Sequence, residues 1–329
     1  MKTFSCPSCG GRLFFHAMDC ACGAEVSFDI DRQAFELLDI ACINRATIAC
    51  NWSASATAAG YCRSCRMTEL IPDTFHDDNL SLWADAEGSK RWVLANLARW
   101  GWFTEGDSGR KPVFHLLSEA TQVGDINVTM GHANGTVTMN VSEADPAALV
   151  QRREALGERF RTMTGHFRHE IGHFVFERLS EVAGFTDRYR ALFGDERADY
   201  GAALKAHYDA GPPDGWNEEF VTAYASSHPH EDWAESFAHL LHLTDIGDSF
   251  VAMGLEASSL PSCDYDPYAE HDAQRLISVG ADLGIALNHV NRAMGLPDIY
   301  PFVLTSPIRE KLAFVHASVR RDVGSAGAG

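Results

Sequence analysis

The chain has 329 residues, of which 46% are hydrophobic and 22% charged, and its formal net charge is −18. This is the composition of a globular protein with room for one large domain and a smaller module, and no apolar run is long enough to span a bilayer. So acidic a chain repels phosphate backbones, which disfavours general nucleic-acid binding. The N-terminus, Met1 to Pro7, carries no apolar signal core, so the expected compartment is the cytoplasm and no membrane partner is expected.

Eight of the nine cysteines fall within the first 65 residues, and only Cys263 lies outside. In a chain without an export signal, close pairs of this kind point to metal rather than disulfides. The first set is Cys6 and Cys9, followed by Gly10, and then Cys20 and Cys22, followed by Gly23. The glycine of such a knuckle permits the turn that aims backbone amides at the sulfurs. Residues 12–15 and 25–29 read as the short strands of a ribbon. Four thiolates close a tetrahedral structural site. The Cys20–Cys22 pair is one residue shorter than the usual spacing, which leaves His16 as the alternative to Cys20. The second set is Cys42, Cys50, Cys62 and Cys65, again enough for one complete site; the plainer reading is a group of buried free thiols. Neither set leaves a position open for substrate, so both are expected to be structural. A metal there supplies folding energy that a small cysteine-rich module cannot draw from its core.

Beyond residue 76 the helical period takes over. An amphipathic helix is predicted over 82–102, a loop over 106–112, and a hairpin of strands 126–130 and 135–141 around Gly131 to Gly135. A long helical stretch follows over 146–180. Helices then dominate, broken at Gly211 to Pro213 and between Pro261 and Pro267, and the tail 324–329 is predicted to be flexible. The expected fold class is α+β. A zinc-ribbon module (1–75) with two four-cysteine sites precedes a mainly helical domain (76–323) that carries a small β-sheet.

The chemistry concentrates in His169-Glu170-Ile171-Gly172-His173. On a helix, residues four apart share a face, so both imidazoles can reach one Zn²⁺ while Glu170 sits beside the open position. Neutral imidazoles bind without cancelling the ion's charge, and a carboxylate can take a proton from an activated water. Alone, the pentapeptide also fits an ordinary helix with two satisfied histidines. A catalytic zinc needs a third protein ligand. Glu231 and Glu235 stand four apart on a helix expected to open after Pro229, among Trp233, Phe237 and Leu240, where unpaired carboxylates would be costly. One can ligate while the other accepts the N–H of a ligand histidine. His166 lies on nearly the same face as His169 and His173, so a three-histidine site is the alternative. His228, His230, His239 and His242 read as capping or packing residues.

Around this pentapeptide, residues 165–173, Phe193 to Glu196 and His228 to Glu235 resemble a bacterial zinc-binding metallopeptidase family with an N-terminal zinc ribbon. Cys50 to Trp52, Cys62 to Arg66 with Ile71 to Asp73, Glu143 to Asp145, and Tyr300 to Phe302 extend the resemblance over nearly the whole chain. The family is gluzincin-like. By that resemblance the domain is zincin-like, Glu231 is the third ligand and Glu235 its support. Tyr224, seven residues before Glu231, matches the tyrosine of the lethal-factor-like branch. The shortened Cys20–Cys22 pair and the histidine at 230 depart from the pattern.

The expected function is therefore that of a zinc metallopeptidase acting on a peptide or protein. Glu170 is the general base, Tyr224 the donor to the oxyanion, and three Zn²⁺ ions are bound, one catalytic and two structural. The strand at 135–141 is a candidate for pairing with an extended substrate, or an ordinary sheet strand. The rival expectation is a zinc-ribbon adaptor whose zincin domain has lost catalysis.

Overall fold

A computed structural model describes residues 2–55, 59–76, 78–145, 162–299 and 303–321. The fold is α+β, with a cysteine-rich N-terminal region built on short strands and a helical C-terminal part. The chain divides into two compact units, Met1–Phe167 with Arg321–Gly329, and Arg168–Arg320. Among the described residues, no helix is long and apolar enough to cross a membrane.

In the first unit, β1 (Phe4–Ser5) pairs antiparallel with β2 (Arg12–Leu13), and β3 (Val26–Asp29) with β4 (Ala34–Leu37). The β3–β4 turn is set by Asp29, whose Oδ1 accepts the amides of Asp31 (2.8 Å) and Arg32 (3.1 Å). Phe28 collects the rings of Phe4, Phe15 and Phe35 at 5.0–5.5 Å, all edge-on, the geometry that ring quadrupoles favour. A short helix α1 (Arg45–Ile48) and strand β5 (Thr68–Leu70) follow.

Helix α2 runs over Asn79–Ala98, shorter at its C-terminal end than the predicted 82–102. The chain turns away because Gly101 (φ 81°) and Phe103 (φ 61°) take left-handed conformations; Trp100 and Trp102 are buried in that turn rather than on the helix. Strand β6 (Val113–Leu117), which the alternation did not reveal, joins β5 and β8 (Thr136–Asn140) as a parallel neighbour of both. Strand β7 occupies Gly131–Ala133 and pairs antiparallel with β8. The hairpin turn is thus Asn134 (φ 50°) and Gly135 (φ 83°), a two-residue loop of the primed kind, and the predicted strand at 126–130 does not form. Of Gly131 to Gly135, only the last two residues turn, and the first three are strand.

Helix α3 is described from Met163 to Ser180; the predicted helical residues 146–161, the tail 324–329 and the Tyr300 to Phe302 match lie outside the described residues. The second unit continues with α4 (Phe185–Phe193), α5 (Tyr200–Ala210), α6 (Pro229–Ala252), α7 (Ala273–Ala293) and α8 (Ser306–Val319). Helix α6 opens with proline in its first turn, and the Nδ1 of His228 caps it by accepting the amide of His230 at 3.1 Å. It packs against α7 and α8. The fully buried Trp233 is ringed by Phe176, Phe185, Tyr189 and Phe193. Its indole N–H donates to the Gly172 carbonyl at 2.9 Å. A Cβ at Gly172 would stand 3.0 Å from the Phe237 ring and 3.3 Å from the Ala234 Cα. The glycine inside the pentapeptide is therefore what lets α3 approach α6.

Candidate metal centres

Three groups of side chains converge as metal ligands among the described residues: Cys6, Cys9, Cys20 and Cys22; Cys42, Cys50, Cys62 and Cys65; and His169, His173 and Glu231. Within each, the ligand atoms lie within 4.8 Å of one another. Zinc–sulfur bonds of about 2.3 Å in a tetrahedron require sulfurs about 3.8 Å apart. The Cys6–Cys22, Cys9–Cys20, Cys50–Cys62 and Cys50–Cys65 separations are 3.9, 3.6, 3.5 and 3.7 Å. The sulfurs therefore fit the ion.

Cys20 stands in the first group, and His16, its sequence alternative, instead stacks on Trp92 at 5.8 Å. Gly10 (φ 72°) and Gly23 (φ 86°) make the knuckle turns, and the Gly11 amide points at the Cys9 sulfur at 3.3 Å. In the second group the amides of Cys62 and Cys65 point at the sulfurs of Cys42 and Cys62, both at 3.4 Å. Hydrogen bonds from Cys50, Cys62 and Cys65 hold Cys42 well below the usual thiol range. Cys62 and Cys65 are pushed above it, first through Cys42. Four buried sulfurs this close together suit a cation.

In the third group, α3 carries His169 and His173 one turn apart, and α6 brings up Glu231 in its first turn. The His169 Nε2 lies 2.9 Å from Glu231 Oε2 and 3.1 Å from His173 Nε2, which is 3.5 Å from the same oxygen. Bonds of about 2.0–2.1 Å to a tetrahedral zinc place ligand atoms about 3.3 Å apart, so this donor set fits as well. Burial opposes ionisation of Glu231, yet the charge of His173 and the hydrogen bond from His169 hold its carboxyl well below the usual range. Burial likewise disfavours charge on His169, but hydrogen bonds to Glu231 and Glu235 raise it well above an ordinary histidine.

Glu235 lies behind the ligands. Its Oε1 takes the Nδ1 hydrogen of His169 at 2.6 Å, and its Oε2 accepts from the Thr222 hydroxyl at 2.8 Å. Such a contact leaves the Nε2 lone pair of His169 for a metal. Glu170 is 7% exposed, and its Oε2 has no hydrogen-bond partner among the described residues. A buried carboxylate oxygen without a partner is available to accept a proton. The Tyr224 ring lies 6.0 Å from that of His169, and burial, with Glu231 next, raises its pKa, so it stays a proton donor.

His166 stands apart: its Nε2 faces Glu143 Oε2 at 3.0 Å rather than the ligands. His230 packs edge-on against Phe176 at 4.9 Å and stacks on His228 at 5.2 Å; burial, aided by the charge of His173, lowers its pKa to about 4. Cys263 is exposed and belongs to none of the three groups.

Two contacts at the site had no signal in the spacing. The Tyr200 hydroxyl donates to Glu231 Oε1 at 2.7 Å, from a residue 31 positions upstream. The Tyr189 hydroxyl donates to the Pro229 carbonyl at 2.6 Å, tying α4 to the turn that presents Glu231. Near it, the Arg190 guanidinium pairs with Glu196, its Nε 2.9 Å from Oε2, which braces the Phe193 to Glu196 segment.

A family model described as "Putative zinc-binding metallo-peptidase" matches residues 79–318. The chain belongs to this family. Its matched span contains His169, His173 and Glu231 but leaves both cysteine groups outside. Uncharacterized proteins of Mycobacterium bovis and Mycobacterium tuberculosis are 40% identical to the chain over 332 aligned positions, covering 97% of this chain and 95% of theirs. The similarity to these relatives therefore includes the cysteine-rich region. No solved structure gives a significant match.

Proposed function

We propose that the protein is a zinc-dependent peptidase that hydrolyses peptide bonds at the His169, His173 and Glu231 site, with two further zinc ions held by the cysteine groups. The observation that carries this reading is the convergence of the three ligand atoms, with Glu170 buried next to His169 in the chain and its Oε2 without a hydrogen-bond partner among the described residues. Membership of the zinc-binding metallopeptidase family supports it. Zinc at such a site supplies Lewis acidity, lowering the pKa of a water from 15.7 to about 7 and polarising a carbonyl.

The chain's own groups do the rest. Glu170 takes the proton of the attacking water and passes it to the leaving amine, its lone oxygen being the acceptor. Tyr224, kept protonated by its surroundings, donates a hydrogen bond to the oxygen that becomes negative as the carbonyl is attacked. Glu235 and Thr222 fix the tautomer and orientation of His169. The substrate is a peptide or protein, and the acidic chain is not expected to bind nucleic acid.

Glu170→Gln tests the reading. The amide keeps the shape of the side chain but cannot accept the proton, so turnover falls roughly 10²–10⁴-fold while zinc content stays that of the wild type. N-terminal proteomics of cells carrying each form supplies both assay and substrate: protein termini present with the wild type are absent with Glu170→Gln. Identical termini in the two would remove Glu170 as base and favour a non-catalytic adaptor.

A further inference from the structure

Glu231 offers two oxygens, and the structure treats them differently. Oε2 faces His169 and His173, whereas Oε1 accepts the hydroxyl of Tyr200 at 2.7 Å. Tyr200 opens α5 directly after Asp199, whose Oδ1 caps the helix by accepting the Ala202 amide at 3.0 Å. None of the α5 residues is fully buried, and Ala203, Leu204 and His207 are partly so. The ties of this helix to the site are polar and aromatic. Besides the bond to Glu231, the Tyr200 ring sits edge-on to His228 at 5.2 Å, and His207 edge-on to Tyr224 at 6.1 Å.

A carboxylate can ligate a metal through one oxygen or through both. Two-oxygen ligation by Glu231 would crowd the position that a water or a carbonyl must take, since a catalytic site needs three protein ligands and an opening. We propose that Tyr200 is a positioning residue that occupies Glu231 Oε1, so that Glu231 ligates through Oε2 alone and the fourth position stays open. The hydroxyl achieves this with a charge-assisted hydrogen bond, stronger than one between neutral partners. This inference rests on reading His169, His173 and Glu231 as a zinc site.

The test uses the full chain with zinc retained in the cysteine groups. A mild chelator removes the ion from the histidine site, and Co²⁺ is titrated in, its visible bands reporting coordination number and its titration the affinity. The wild type is expected to give the intense spectrum of a four-coordinate ion. Tyr200→Phe should give the weaker spectrum of a five-coordinate ion and bind Co²⁺ roughly 10–100-fold less tightly, as for other groups that support metal ligands. Tyr208→Phe, a change at an exposed tyrosine of the same helix, should match the wild type. A Tyr200→Phe protein with wild-type spectrum and affinity overturns the role of Tyr200 and leaves the metal site standing. X-ray absorption on the Co²⁺-loaded wild type needs no variant to fold, and two Glu231 oxygens at bonding distance would also overturn it. A wild-type chain that takes up no ion at the histidines overturns the site itself and this inference with it.

Discussion

His316 shows how burial, more than any other influence, sets the chemistry of a residue away from the ligands. It is 2% exposed, and its Nε2–H donates to the Glu270 carbonyl at 3.1 Å. Burial, with the charge of Arg320 next, brings its pKa down from 6.5 to about 4. The folded state therefore refuses a proton that the unfolded chain accepts. The stabilisation is whole above about pH 6.5 and is lost progressively as pH falls toward 4. Between about pH 7.5 and about pH 5 the loss attributable to this residue is on the order of 2 kcal/mol. Denaturant unfolding at the two pH values should show His316→Gln losing that much less than the wild type, because glutamine keeps the donor without titrating. Equal losses in the two proteins would show that His316 does not carry the effect. Glu170 gives the complementary lesson: its candidacy was readable from its place between the two histidines, but only the structure shows that one of its oxygens has no partner among the described residues.

At the scale of elements, small residues decide how closely the helices of the second unit approach. A Cβ added at Gly280 on α7 would meet the Leu243 Cβ at 2.7 Å and the Leu243 carbonyl oxygen at 2.9 Å. Both are closer than real contacts allow, and one is backbone that cannot step aside. Gly280→Ala should cost about 1–3 kcal/mol, the usual range for overpacking, although alanine is otherwise the better helix former. Thermal unfolding checks this, and a gain in stability would mean that α6 and α7 move apart freely. Helices and their breaks were legible, since the 3.6-residue period, the proline after His228 and the Gly211 to Pro213 break act locally. Strand β6 was not: its role depends on β5 and β8 flanking it, and with Val113, Phe114, Leu116 and Leu117 all apolar its five residues show little alternation in sequence. The shifted hairpin has a different cause, two glycines, Gly131 and Gly135, competing for the turn.

For the whole molecule, metal content is the decisive measurement. Three zinc ions per chain are expected by elemental analysis, and stepwise chelation should release the ion at the histidines first, because a site with an open position exchanges more readily than a closed tetrahedron of thiolates. Removal of the other two should unfold the N-terminal cysteine-rich region, seen as loss of its buried-tryptophan signal from Trp52, since ligation there is folding energy. Two ions or fewer in protein purified with zinc would break the three-site account. The sequence by itself determined what local geometry dictates. Residues four apart share a helix face, so His169 with His173 and Glu231 with Glu235 were readable as pairs, and close cysteine pairs were readable as knuckles. Only the tertiary structure decided what depends on distant chain segments meeting. It brought Cys20 rather than His16 to the other sulfurs, turned His166 toward Glu143, and laid Gly172 against α6. It also divided the oxygens of Glu231 between the histidines and Tyr200. No period or spacing encodes those meetings, because they are set by how the helices pack.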